Sequence, residues 1–190
     1  MEQSSQKTLT LRLVKMAMLI AIAIVLVLLI HLPIIPAVSF LEYDPADIPI
    51  IIGGFAFGPV AGIILTVVTA VLQGITVSAG SGFYGIIMHI ISTLALVLVS
   101  SLIYYKHKTK KRAIVGLACG TGAMIIVMFF ANLAITPVYM NITMGITIDA
   151  AHELVWTLMP SILLFNLIKA GVNSIVTFFL YKRVSNFLHR

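Results

Sequence analysis

The feature that most limits what this chain can become is a succession of apolar runs long enough to cross a lipid bilayer. About 20 helical residues cover the ~30 Å hydrocarbon core, and in lipid every backbone N–H and C=O must be bonded internally. Runs at 9–32, 83–105, 113–137 and 154–181 reach that length, and a further apolar stretch, 47–75, is interrupted at Gly58-Pro59. Of 190 residues, 61% are hydrophobic and 9% charged, against about 45–50% and 25% in soluble domains. No core of this size hides such an excess, so lipid is the solvent for most of the surface. The expectation is one all-α domain, 1–190, embedded as a multi-pass protein of the cell membrane.

The interrupted stretch decides the number of crossings. Proline lacks a backbone donor, clashes with the preceding turn and pushes its predecessor out of the helical region. Charge then decides whether 47–75 is one helix or two. Basic residues gather at Lys7, Arg12 and Lys15, at 106–112, and at 182–190, whereas Glu42, Asp44, Asp47, Asp149 and Glu153 lie between other segments. Counting from a cytoplasmic N-terminus, two helices put all basic clusters inside and these acids outside, as the positive-inside rule requires; one helix reverses the densest basic loop. Six transmembrane helices are therefore predicted, the second short (45–57), with both termini cytoplasmic and 33–46 an external loop. The basic opening followed by an apolar run, 16–30, is read as an uncleaved first helix because the later chain is equally apolar. The net charge of +6 is accounted for by these flanks, so the expected partner is the bilayer and not nucleic acid.

Little points to catalysis. There is no phosphate-binding Gly-x-x-x-x-Gly-Lys loop; His152-Glu153 starts like a zinc-protease motif, but position 156 is Trp; Ser81 lies between Gly80 and Gly82 and not in a nucleophile elbow. No catalytic residue, metal site or cofactor is predicted. An intramembrane enzyme would have to draw on His89, Asp149, His152 and Glu153, and His89 is expected instead to bond a neighbouring helix. The lone Cys119 is read as a small buried packing residue. Small residues at every fourth position (Gly54, Gly58, Gly62, Thr66, Ala70, Gly74) and the pair Gly116 and Gly120 read as ridges for close helix packing.

The informative pattern is in the last segment. Asn166, Lys169, Asn173 and Thr177 share one helical face. A lysine inside a span costs about 2.5–3.5 kcal/mol on insertion scales. Lys182 is 13 residues further on, about 20 Å along a helix, so snorkelling to that end cannot rescue Lys169. With Pro160 as the helix start, Lys169 falls about two turns below the outer end. It faces a polar cavity, a partner carboxylate or the outer surface; the neutral hydrogen-bonding groups beside it favour a binding pocket over an ion pair with Glu42, Asp44, Asp149 or Glu153. Asn132 and Thr136 in the fifth segment, and Tyr84 at the start of the fourth, reach the same outer half. Together they outline an outward-facing site for a small molecule. The acidic, aromatic loop with Phe40, Leu41 and Glu42 is placed as its lid, while Asp47 is assigned to the positive end of the following helix.

Two stretches carry a family resemblance: Leu41-Glu42-Tyr43-Asp44-Pro45-Ala46-Asp47-Ile48-Pro49 running into Gly53-Gly54-Phe55-Ala56-Phe57-Gly58-Pro59, and Phe165-Asn166-Leu167-Ile168-Lys169-Ala170-Gly171-Val172-Asn173-Ser174. With the six-segment layout, the chain resembles the substrate-binding S components of the energy-coupling factor (ECF) vitamin transporters, and among them those specific for riboflavin. The resemblance implies capture of the vitamin from outside, no ATPase of its own, docking on a transmembrane coupling subunit with two ATPase subunits, and toppling in the bilayer. It implies that Ala17 and Ala21 form the docking face. Asn132, Asn166 and Lys169 would donate to the flavin ring carbonyls and tail hydroxyls, with Tyr84, Thr136 and Asn173 around them and Phe40, Leu41 and Glu42 as lid. Riboflavin is then a transported ligand and not a cofactor. The alternatives keep the fold and change the vitamin (thiamine or biotin), or take the chain as an intramembrane enzyme or a helper without ligand.

Overall fold

The computed structural model describes residues 2–188. It contains six α-helices among them: α1 (Glu2–Leu29), α2 (Asp47–Phe57), α3 (Pro59–Ile75), α4 (Gly82–Tyr105), α5 (Lys110–Met144) and α6 (Ile148–Leu188). Four are long and apolar enough to cross a membrane, and α2 and α3 are shorter. Between α1 and α2 runs a loop with one small antiparallel pairing, β1 (Leu32–Pro33) with β2 (Glu42–Tyr43).

The break at Gly58-Pro59 separates α2 from α3, as its chemistry demands. Gly58 has φ 96°, a left-handed value open to glycine, and Pro59 starts α3 with no N–H to satisfy. The Tyr105 ring packs against this elbow. The Arg12 guanidinium donates to the Phe57 carbonyl at 2.8 Å. Tyr104 and Tyr181 meet through their hydroxyls at 3.0 Å, and Phe55 stacks on Tyr104 at 4.3 Å. The α2–α3 elbow, the α4–α5 connection, the Arg12 region of α1 and the end of α6 thus share one end of the bundle.

That end provides a ruler. Lys169 precedes Tyr181 by twelve residues and Thr93 precedes Tyr104 by eleven, both about 18 Å. Their level is therefore close to the middle of α4. Eleven residues of α2 extend only about 16 Å, from that middle level down to the elbow. α2 is apolar all round and nearly all of it is buried, with Ile50, Ile51 and Phe55 fully enclosed. Such a helix belongs inside a protein, and α1, α3, α4 and α6 surround it.

Two prolines do not end helices where the sequence reading placed the ends. Pro137 lies inside α5 and Pro160 inside α6. Each forfeits one ladder bond, which neighbouring helices make tolerable. The chain turns instead at Gly145, left-handed at φ 68°, whose N–H reaches the Asn141 carbonyl at 3.1 Å; the Asn141 amide caps the Ile146 carbonyl at 2.8 Å. α6 therefore starts 21 residues before Lys169, about 30 Å and not two turns. At 35 and 41 residues, α5 and α6 outrun the ~30 Å hydrocarbon.

Helix packing uses the small-residue positions. A Cβ on Gly120 would come within 2.6 Å of the Leu96 carbonyl oxygen, and one on Gly116 within 2.8 Å of the Ser100 carbonyl, so α5 lies backbone against α4. Cys119, next to this face, is exposed and not buried, because the packing face of α5 is occupied by the glycines and the thiol turns outward. Gly122 has open space around its Cα. Gly120→Ala is expected to cost about 1–3 kcal/mol through overpacking, whereas Gly122→Ala is neutral or stabilising by up to ~1 kcal/mol. Thermal unfolding in detergent checks the pair: equal midpoints would show that α4 and α5 do not touch as described.

Candidate functional site

The polar face expected on the last helix exists and is buried: Asn166, Lys169, Asn173 and Thr177 are all at most 5% exposed. The loop before α2 closes on it. Lys169 Nζ donates to Asp44 Oδ2 at 2.7 Å, with both side chains enclosed. Asn173 uses its amide nitrogen on the Asp44 carbonyl (3.2 Å) and on Asp47 Oδ2 (3.0 Å), and its oxygen accepts from the Tyr43 hydroxyl (2.9 Å). Thr93 of α4 donates to Asp47 Oδ1 at 2.7 Å. Residues 43–47 are thereby fixed to α6 and α4 at the middle of the bundle. Asp44 Oδ1 also accepts the Ala46 N–H at 3.1 Å.

Several sequence assignments change. Lys169 has the carboxylate partner that had been the less favoured reading, and the partner is Asp44. Asp47 does lie in the first turn of α2, as assigned, but it makes no capping bond; its oxygens go to Thr93 and Asn173, because a helix starting inside the bundle has tertiary donors at hand. His89 bonds Thr93 of its own helix at 3.5 Å, and among the described residues it makes no hydrogen bond to a neighbouring helix. Asp149, His152 and Glu153 occupy the first turns of α6, roughly 20–25 Å along the helix from the level of His89, so they do not converge with it.

A second polar group joins α4 to α5. Tyr84 and Thr136 hydroxyls are 2.8 Å apart, Thr136 donates to Asn132 Oδ1 at 3.1 Å, and Asn132 donates to the Met128 carbonyl at 2.8 Å. Tyr139 stacks on Tyr84 with ring centroids 4.1 Å apart. Among the described residues the Asn166 side chain bonds the Ile162 carbonyl of its own helix, at 2.8 Å, and no other group. Its carboxamide oxygen has no hydrogen bond among the described residues. Two of the three Lys169 N–H groups are likewise uncommitted.

The loop residues divide. Phe40 is 56% exposed, Leu41 is half-buried, and Glu42 pairs with His31 at 3.0 Å. None of the three is brought to Lys169. Ala17 and Ala21 lie on the exposed side of α1, between Val14, Met18, Ile22 and Val25. Thr93 and Tyr43 were missed as parts of the cluster. Thr93 has a weak signal, a hydroxyl one turn after His89; Tyr43 has only its place next to Asp44.

A family model described as ECF transporter, substrate-specific component, matches residues 11–181. The chain belongs to this family. The riboflavin transporter RibU of Staphylococcus aureus (strain TCH60) is 35% identical over 163 residues, 84% of this chain and 82% of that protein. The riboflavin transporter FmnP of Bacillus subtilis (strain 168) is 30% identical over 152 residues, 78% of each. A solved S component of a bacterial ECF transporter superposes with a TM-score of 0.74 at 34% identity, over 94% of this chain and 98% of that one. The S component described here is thus a membrane-embedded, multi-pass transporter subunit and not an enzyme.

The central ion pair has a stability signature. Lys169→Met leaves Asp44 buried without its counter-ion, an expected loss of about 3–5 kcal/mol; replacing both, as Asp44→Leu with Lys169→Met, is expected to recover most of it. A double variant as unstable as the single one would show that Lys169 acts apart from Asp44. Thermal unfolding in detergent separates the outcomes.

Proposed function

We propose that this S component captures riboflavin from the outer side of the cell membrane and delivers it inward as part of an ECF transporter, with a transmembrane coupling subunit and two ATPase subunits. The carrying observation is that the charged groups of the buried polar face are already bonded within the protein. Lys169 is neutralised by Asp44, and Asp47 is satisfied by Thr93 and Asn173. What remains on offer is hydrogen bonding from Lys169, Asn166 and Asn132. That suits an uncharged ring system with carbonyl edges and a polyhydroxyl tail. A biotin carboxylate would need a cation without a partner, and Lys169 is paired with Asp44. The two riboflavin-transporter relatives support the same ligand.

In this reading Asn166, Lys169 and Asn132 donate to the flavin. Tyr84, Thr136 and Asn173 hold those donors in place, Phe40, Leu41 and Glu42 cover the site, and the loop 33–46 faces the exterior. Both termini are cytoplasmic, and Ala17 and Ala21 present the smooth face of α1 to the coupling subunit.

Quenching of flavin fluorescence measures this directly. Riboflavin should titrate the purified protein saturably, and Asn166→Leu should weaken binding roughly ten- to a hundredfold, as loss of one buried hydrogen-bonding group implies. The thermal midpoint of that variant should stay near wild type, since the Asn166 side chain bonds its own helix. Saturable binding of thiamine or biotin with none of riboflavin would replace the ligand; no saturable binding of any vitamin would remove the capture role.

A further inference from the structure

The α4–α5 connection carries Lys106, Lys108, Lys110, Lys111 and Arg112 within seven positions, all exposed. No acid occurs in the chain between Asp47 and Asp149. Asp47 is enclosed at mid-bundle by Thr93 and Asn173, and Asp149 opens α6 at the opposite end. Among the described residues neither ion pair involves the five.

Beneath these cations is a half-open cavity of about 360 Å³ lined by Ile103, Thr109, Lys111, Arg112 and Val115. Its chemistry is two-sided. Lys111 and Arg112 supply charge at the mouth, while Ile103 and Val115 supply an apolar wall continuous with Leu102 and Ile114 on the lipid-facing surface. The Thr109 hydroxyl is already engaged, accepting the Arg112 N–H at 3.3 Å.

We propose that this cavity binds an anionic phospholipid from the surrounding leaflet, its phosphate held by Lys111 and Arg112 and the start of an acyl chain laid along Ile103 and Val115. The Arg fork matches two phosphate oxygens at once, and Lys adds a point charge. A zwitterionic headgroup brings its own ammonium, which the two cations repel. A soluble anion would leave the apolar wall empty, and an acidic protein partner would bury the lipid-facing residues beside it. Basic pockets between transmembrane helices at the membrane surface have this recognition chemistry in general.

The test uses the full chain reconstituted in vesicles of equal phosphatidylglycerol and phosphatidylcholine, with lipids retained after mild detergent release counted by native mass spectrometry. The wild type should retain phosphatidylglycerol in clear excess over its bulk share. Lys111→Gln with Arg112→Gln should reduce that excess about tenfold, while Lys111→Arg keeps it. Val115→Trp, which fills the apolar part and leaves every charge, should also reduce it. Riboflavin titration serves as the folding control, because these positions lie far from the central polar cluster. Equal retention in the Gln variant overturns the proposal. So does displacement of the lipid by millimolar inorganic phosphate, or unchanged lipid with loss of assembly with the ATPase-bearing module, since either outcome makes the site something other than a lipid site.

Discussion

The arrangement depends on one contact, the 2.7 Å pair between Asp44 and Lys169 in the middle of the bundle. Two charges there are expensive to desolvate, and a buried pair of this kind adds little net stability compared with packed apolar residues. Its consequence is positional. Irregular backbone at membrane depth is tolerated only when protein covers it and satisfies its polar groups. Residues 43–47 meet that condition because α6 offers Lys169 and Asn173, and α4 offers Thr93.

Once that segment is fixed, the geometry of α2 follows. A helix starting at half depth has room for only three turns before the membrane surface, and the Gly58-Pro59 elbow stops it there. Its dipole is complemented at both ends: Asp47 lies in the first turn, and the Arg12 guanidinium binds the Phe57 carbonyl at the last. Close approach completes the fit. Gly54 lies against Ser101 and Val97 of α4, and Gly62 against Val97, so the stripe of small residues that runs across the elbow serves α2 and α3 against the same helix.

Much of this was legible in the sequence for identifiable reasons. Apolar run length and the basic loop at 106–112 determine the helices and the split at Gly58-Pro59, since both are local properties. The α6 face was legible because a period of 3.6 brings Asn166, Lys169 and Asn173 together within one element. The partner of Lys169 was not, because pairing across 125 positions depends on the depth at which a loop re-enters, which no local pattern encodes. Pro137 and Pro160 misled for the opposite reason. A local rule about proline was overridden by tertiary neighbours that supply what the broken ladder loses, and the true turn came from Gly145. Cys119 was misjudged because in lipid the outside of a helix is as apolar as the inside, so hydrophobicity alone does not assign a face.

The same contact bears on binding. An ammonium free to rotate through several rotamers loses that freedom when a ligand takes it, whereas Lys169 is already held by Asp44 with two donors uncommitted. Ordering has been completed at folding, and less is lost on association. The donor chain Tyr84, Thr136, Asn132 is preorganised in the same way, each hydroxyl or amide fixed by the next. Because Asp44 belongs to the loop that also carries Phe40 to Glu42, any ligand that draws on Lys169 acts on a side chain bonded to that loop. The loop and the polar face of α6 therefore share one hydrogen-bond network, made through Tyr43, Asp44 and Asp47.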